Sequence, residues 1–425
     1  MTGPGAVRNL KPSILTAAVP LGEYGRIAEI DVIRGAALFG VLWMNLVEIT
    51  TWLVPHPVRD ALATAPVDRV AALLSTWLLD GKAQTLFGIL FGFGFAVFID
   101  RAAARGSAPA RLFARRLVFL LLLGTLQYVF LWWGDILHDY ALVGFALLPV
   151  RRWPARRLMV VGLALVLLAP LGSMVAASVI DGGSPHTMGA IRAQFHSAMW
   201  QATAGGHYIA MLHAIRLRSA AVYGDGAIVG YFALLFGQFL LGAFVFRTGW
   251  LQRAEVRRQV FRRMALVCFP AGLIIAGLDP AETVIGHAFL PLPGSALAVL
   301  EQAGTLMLAA GYAALTVLAA SCLRLQPVCR GLAGVGRMAL TNYVTQSVFY
   351  FIVIDSFGFG LIGRIGITLD GVAATLLFFA QALFSRWWLR RFRFGPLEWL
   401  WRSATYKCWQ TLRAFSTARP SLSAD

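Results

Sequence analysis

The sequence predicts an all-α, polytopic membrane protein of about ten transmembrane helices with both termini cytoplasmic. Three observations carry this. Of the 425 residues, 58% are hydrophobic and 13% are charged, whereas soluble proteins average about 45–50% and about 25%. The mean hydropathy is +0.70, too high for a chain with one soluble core, since such cores stop growing near about 250–300 residues. Finally, 30 of the 37 Lys and Arg residues fall in alternate segments between the apolar runs, the pattern of cytoplasmic loops. A water-soluble enzyme is excluded. The net charge of +17 would suggest nucleic acid in a soluble domain; here it belongs to membrane-flanking loops. The expected partner is the lipid bilayer, and no nucleic acid is expected.

A hydrocarbon core about 30 Å thick needs roughly 20 apolar residues per helix, and the runs follow in order. The first, 32–53, comes after a loose cytoplasmic tail (1–25) that lacks the apolar stretch and cleavage site of a secretory signal. The second, 84–100, opens at Lys82, placed to snorkel outward, and its Gly88, Gly92 and Gly94 permit close helix approach. The third and fourth, 116–133 and 135–150, are parted only by Trp133-Gly134-Asp135. They read as two spans or as one broken hairpin. After 156–180 comes an outer loop, 181–225, which holds His186, His196, His207 and His213 without apolar continuity. Amphipathic helices lying on the surface are expected there. The runs 226–247, 264–279, 295–322, 338–356 and 367–386 complete a single transmembrane domain over 26–410, followed by a cytoplasmic tail, 411–425. With this count the outer segments keep only Arg59, Arg69, Lys82, Arg192, Arg216, Arg218 and Arg364. An odd number of spans breaks the alternation.

Ionisable groups inside spans cost about 2.5–3.5 kcal/mol each on insertion scales, so they are functional candidates. On the first span Asp31, Arg34, Asn45 and Glu48 fall within an arc of about 100°. That stripe must face other helices, because lipid offers it no partner. Asp31 and Arg34 read equally well as a structural ion pair. In Gly134-Asp135-Ile136-Leu137-His138-Asp139-Tyr140 the spacing of three puts Asp135 and His138 on one helix face. A carboxylate beside an imidazole raises its basicity and selects its tautomer, as a general base requires. The alternative is that Asp135 merely caps a helix. On the ninth span Arg337, Thr341, Asn342, Thr345 and Gln346 form a polar face that interhelical hydrogen bonding explains without chemistry.

Other signals are weaker. Cys268, Cys322, Cys329 and Cys408 lie far apart, so neither a disulfide framework nor a metal site is expected. No phosphate-binding loop, HExxH or GxSxG occurs. The stretch Gly395–Tyr406, with a Glu398–Arg402 pair among aromatics, suits an interfacial helix on anionic lipid.

Several stretches together resemble the YeiB-like family of bacterial multi-pass membrane proteins. They are Arg26-Ile-Ala-Glu-Ile-Asp-Val-Ile-Arg-Gly through Asn45, the Lys82–Gly94 run, Gly134-Asp-Ile-Leu with Tyr140, Ala339-Leu-Thr-Asn-Tyr-Val-Thr-Gln-Ser347 and Phe394-Gly-Pro-Leu-Glu-Trp-Leu-Trp-Arg402. The resemblance covers about 26–410 and implies residence in the bacterial plasma (inner) membrane. More distantly, Asp31-Val-Ile-Arg-Gly with Asn45 is similar to the first span of heparan-alpha-glucosaminide N-acetyltransferase and of the acyltransferase-3 enzymes. Where the acyltransferase-3 pattern carries a His, eleven residues after the Arg, this chain has Asn45.

This likeness implies a transmembrane acyltransferase. It would pass an acyl group, acetyl foremost, from cytoplasmic acetyl-CoA or another acyl-CoA to a hydroxyl or amine acceptor at the outer face. The acceptor would be a glycan, an amine or a lipid-linked compound. Arg34, with Arg337 and Asn342, would hold the donor phosphates, and Asn45 would polarise the thioester. Either His138, oriented by Asp135, or His56 would act as base. No bound cofactor is expected beyond this donor. The rival reading is a small-molecule or lipid-linked transporter or flippase whose substrate follows the same polar stripe.

Overall fold

A computed structural model describes residues 27–62, 65–106, 108–180, 185–278 and 292–413. The tails expected over 1–25 and beyond 413 lie outside the described residues, as does the side chain of His186. Among the described residues the chain is helical, with one isolated β-bridge between Phe392 and Arg413.

The helices run α1 Ala28–Glu48, α2 His56–Leu62, α3 Pro66–Leu78, α4 Lys82–Ala103, α5 Pro109–Phe130, α6 Leu137–Phe145, α7 Leu147–Val150 and α8 Ala155–Ile180. They continue with α9 Pro185–Ala204, α10 Tyr208–Tyr223, α11 Ala227–Thr248, α12 Arg258–Ala276, α13 Gly294–Ala320, α14 Gln326–Arg337, α15 Ala339–Phe349, α16 Ile367–Leu389 and α17 Pro396–Tyr406. Among the described residues, eight helical segments are long and apolar enough to cross a membrane. The chain is therefore a polytopic membrane protein. Leu122, Val175, Leu266 and Phe379 are all more than half exposed on its helices, as lipid-facing side chains should be.

Two of the ten expected spans differ from the rest. The fourth is α6 and α7, of nine and four residues. The ninth is the 11-residue α15, extended by a five-residue π turn to Ile354. At about 1.5 Å per residue neither matches a core of about 30 Å. The α5–α6 pair is the broken hairpin that the sequence left open. Gly124 lies against the His138 amide and Gly144 against Leu117, so the two helices pack antiparallel with their backbones close. A cluster of buried aromatics, including Phe95, Phe113, Tyr140 and Phe239, holds this hairpin to α4 and α11.

Arg34, Arg101, Arg116, Arg337 and Arg402 line one cavity at one end of the bundle, here the basic end. At the opposite end α9 and α10 are helices, as expected, but they are more than surface ornaments. Their Phe195, Met199, Met211 and Ile215 are buried against Leu46, Trp132, Trp133 and Tyr350. At the basic end α14 packs directly on α1. A Cβ on Gly35 would strike the Leu332 carbonyl, and one on Gly336 would strike the Asp31 carbonyl. Only glycine allows this approach, and it brings Arg34 and Arg337 to one place.

Candidate functional site

The site is built on the turn between α5 and α6. The Asp135 amide donates to the Trp132 carbonyl at 3.1 Å, which closes the turn. One carboxylate oxygen, Asp135 Oδ2, then accepts the Leu137 amide at 3.0 Å, the His138 amide at 3.4 Å and His138 Nδ1 at 3.1 Å. The two roles weighed from the sequence, helix cap and imidazole partner, belong to the same oxygen. The cap explains why α6 starts where it does. The contact orients the imidazole, and in the tautomer with its proton on Nδ1 the basic nitrogen is Nε2. Asp135, His138 and Asp139 are all at most 8% exposed, so their mutual attraction is little screened by solvent.

Around Nε2 stand groups from distant parts of the chain. Tyr223, at the end of α10, places its hydroxyl in hydrogen-bond contact with His138 Nε2 and at 2.9 Å from Asp139 Oδ1. The hydroxyl of Tyr231 donates to Asp139 Oδ2 at 3.4 Å. The Tyr128 ring lies 4.7 Å from the imidazole, and Arg218 donates to the Tyr128 hydroxyl at 3.4 Å while stacking 5.2 Å from the Trp133 ring. Burial and the neighbouring Asp139 carboxylate push the Tyr223 phenol above its ordinary value, so it keeps its proton.

Behind the turn, a cavity of about 410 Å³ opens among α1, α4, α5, α6, α14, α15 and α17. Arg34, Arg101, Arg116, Arg337 and Arg402 line it at the basic end. Its walls are apolar, with Phe87, Leu90, Phe91, Leu117 and Leu120. Ile136, Leu137, Tyr140 and Tyr343 line its inner part, so the peptide that links Asp135 to His138 forms part of the wall. The Tyr343 hydroxyl accepts the Ile136 amide at 3.4 Å. Arg34 donates to Asp31 Oδ1 at 3.1 Å and to the Gly336 carbonyl at 3.3 Å, which fixes it at the mouth. Arg116 is held by stacking, 4.0 Å from the Trp401 ring. Its Nε has no hydrogen-bond partner among the described residues.

The residues singled out from the sequence are thus divided. Arg34 and Arg337 come together in the lining of one cavity; Asp135 and His138 pair with each other but do not line it, and lie behind the wall formed by Ile136 and Leu137. Asn342 does not line it: its amide bridges the Val335 carbonyl at 3.2 Å and Ser385 Oγ at 3.0 Å, a structural use. Asn45 and Glu48 lie farther along α1 and do not line it either. His56 is exposed and its ring nitrogen contacts Arg59 of the same short helix. Sequence reasoning passed over Tyr223, Tyr231, Tyr343, Arg116 and Arg402 as site residues. Arg116 was counted only as loop charge and Arg402 only as the partner of Glu398, and no local pattern links the tyrosines to His138.

The comparisons with known proteins are consistent with one another. Residues 245–408 match the model of the family described as "Protein of unknown function (DUF418)". The chain is 32% identical over 403 residues to the uncharacterized protein YxaH of Bacillus subtilis (strain 168), covering 91% of this chain and 96% of that protein. It is 29% identical over 411 residues to the uncharacterized protein YeiB of Escherichia coli (strain K12), covering 90% and 97%. An uncharacterized 39.9 kDa protein of the amylase 3′ region of Bacillus acidopullulyticus is 27% identical over 389 residues, covering 91% and 96%. No solved structure matches.

Proposed function

The chain belongs to the YeiB-like family of multi-pass membrane proteins, and from that premise we propose that it is a transmembrane acyltransferase. One observation carries the reading: a single cavity is lined by five arginines and, farther in, by Ile136 and Leu137, the two residues that join Asp135 to His138. Guanidinium groups match phosphate by paired, planar donors, and the apolar walls suit the thioester arm of an acyl-CoA. The basic end is then the cytoplasmic end in the bacterial plasma membrane, and the acceptor arrives from the outer face. His138 Nε2 takes the acceptor's proton as its heteroatom attacks the thioester carbonyl, and Asp135 stabilises the imidazolium that forms. Tyr343, on the cavity wall, turns its hydroxyl from Asp135 to donate to the developing oxyanion. The donor role weighed for Asn342 and the polarising role weighed for Asn45 fall instead to Arg116 and Tyr343.

The rival reading, transport, is favoured by one feature: the cavity lies toward the basic end while α9 and α10 pack over the other end. A carrier open to one side of the membrane and closed to the other has that form. One experiment separates the two. Purified protein in nanodiscs is given acetyl-CoA labelled in the acetyl group, and free CoA is measured. CoA release is expected, and Gly94→Phe should suppress it. Gly94 lines the cavity and a Cβ there meets nothing within 4 Å, so the ring fills the donor space without disturbing packing. Absence of CoA release, or release indifferent to the plug, overturns acyl transfer. Solute uptake by proteoliposomes without thioester cleavage supports the carrier.

A further inference from the structure

The polar groups around His138 form one chain of contacts that passes through the wall of the cavity. It starts at Tyr343, which lines the cavity and whose hydroxyl reaches the Asp135 carboxylate. Asp135 Oδ2 holds His138 Nδ1 at 3.1 Å, while Oδ1 is buried with no hydrogen-bond partner among the described residues. Beyond the ring, His138 Nε2 meets the Tyr223 hydroxyl, which lies 2.9 Å from Asp139 Oδ1. Nε2 itself lies 3.4 Å from the same Asp139 oxygen. Tyr223 is 37% exposed at the end of α10, and the Asp139 side chain keeps 11% exposure. Just beyond Tyr223, Asp225 pairs with Arg192, an exposed residue of α9. The chain therefore begins in the cavity and ends where α9 and α10 close the opposite end of the bundle.

We propose that Tyr343, Asp135, His138, Tyr223 and Asp139 form a proton relay that joins the cavity to the opposite end of the bundle. The relay does not depend on what the cavity binds, so it goes beyond the acyl-transfer reading. Three buried ionisable groups at membrane depth are expensive, and capping α6 requires only Asp135. The groups facing His138 are Asp135 and Asp139 from its own segment, Tyr128 from α5 and Tyr223 from α10, with Arg218 behind Tyr128. The buried Trp132 and Trp133 close the turn on one side, so the chain has polar ends and an enclosed middle. An imidazole in such a place takes a proton on one nitrogen and releases one from the other. For a proton moving toward the cavity, His138 starts with its proton on Nδ1, and Asp139 has taken a proton from solvent. Nε2 takes the Tyr223 hydroxyl proton, and Asp139 returns its own to the phenolate oxygen. Nδ1 gives its proton to Asp135, which passes it to the Tyr343 oxygen as the Tyr343 hydroxyl proton leaves into the cavity. One proton enters and one leaves, each group regains its charge, and a half-turn of the imidazole restores the tautomer. The opposite direction is the reverse.

The test measures proton flux through the whole protein. Vesicles containing equal amounts of each variant trap a pH-sensitive dye, and potassium with valinomycin clamps the membrane potential. A pH step is imposed outside, and its decay inside is followed with no acyl donor present. Wild type should dissipate the step faster than protein-free vesicles. Tyr343→Phe keeps its ring and removes only the hydroxyl at the cavity end, so its rate should fall to that of protein-free vesicles. His138→Phe should fall as far, and the conservative tyrosine variant keeps the test open if this one folds poorly. Tyr223→Phe should fall only part of the way, because Nε2 still reaches Asp139 directly. Leu122→Ala, at a lipid-facing position, should match wild type. A wild-type rate no greater than that of protein-free vesicles overturns the relay, and so does a Tyr343→Phe rate equal to wild type. A network that only holds the helices together gives the first of these results. Because no thioester is supplied, the outcome is separate from that of the CoA-release experiment.

Discussion

His138 and Asp135 should behave as one unit. The imidazole donates through Nδ1 to a carboxylate oxygen that also caps α6, so Asp135 sets both the tautomer and the start of the helix. A positioned base contributes about 10²–10⁴-fold to rate, and His138→Ala should lower turnover of labelled acetyl-CoA by that much while donor binding is kept. Asp135→Asn should lose less, because the imidazole remains. The double variant should be little worse than His138→Ala, since groups acting together are not additive. Additive losses in kcat would separate the two residues. If His56→Ala abolished turnover while His138→Ala was silent, the base would stand on α2. The Asp135–His138 pair was legible in the sequence because both residues lie within one helical turn. Tyr223 was not, because 85 residues separate it from His138.

At the scale of elements, the cavity is assembled by helix ends that are held together by caps. Glu398, on α17, reaches to the start of α15. Its Oε1 accepts the Leu340 amide at 2.7 Å and the Thr341 amide at 3.1 Å, and its Oε2 accepts the Thr341 hydroxyl at 2.6 Å. The sequence pairs Glu398 with Arg402 on an interfacial helix; in the fold its carboxylate also ties α17 to α15. Leaving the two buried amides of α15 without acceptor costs about 1–3 kcal/mol, so Glu398→Ala should lower the unfolding temperature clearly and Glu398→Gln much less. Burial raises the Glu398 carboxyl above its ordinary value despite these donors. A folded-state value above the unfolded one means that its contribution is complete below the unfolded value and is lost as pH rises through the folded one. Wild type should therefore lose stability relative to Glu398→Gln as pH rises through and above the carboxylate range. A difference in unfolding temperature that stays flat with pH would contradict this.

For the whole molecule, the charge distribution makes the sidedness testable. Gln201 on α9 and Cys408 beyond α17 are both exposed, at opposite ends of the bundle. In a variant that keeps only Cys408, an impermeant maleimide should fail to label intact cells and should label inverted vesicles. A variant with Gln201→Cys as its only cysteine should show the reverse. The opposite pattern would invert the topology and put the arginine mouth outside. The sequence alone was enough for the helical class, the basic and apolar segments and the family. Those follow from composition and local periodicity, which each stretch of chain carries by itself. It also placed Arg34 and Arg337 at one end, because charge pins helix ends to an interface. The tertiary structure decided which polar groups share a space. Asn45 and Asn342 are polar, within spans and similar in local setting to the residues of the site, yet packing sends Asn342 to Ser385 and sets Asn45 away from the cavity. The Gly35–Leu332 and Gly336–Asp31 contacts bring two arginines together, and α10 folds over α5 and α6 to lay Tyr223 on His138. Neither is visible in sequence, because a helix pattern records which face is buried but not which partner buries it.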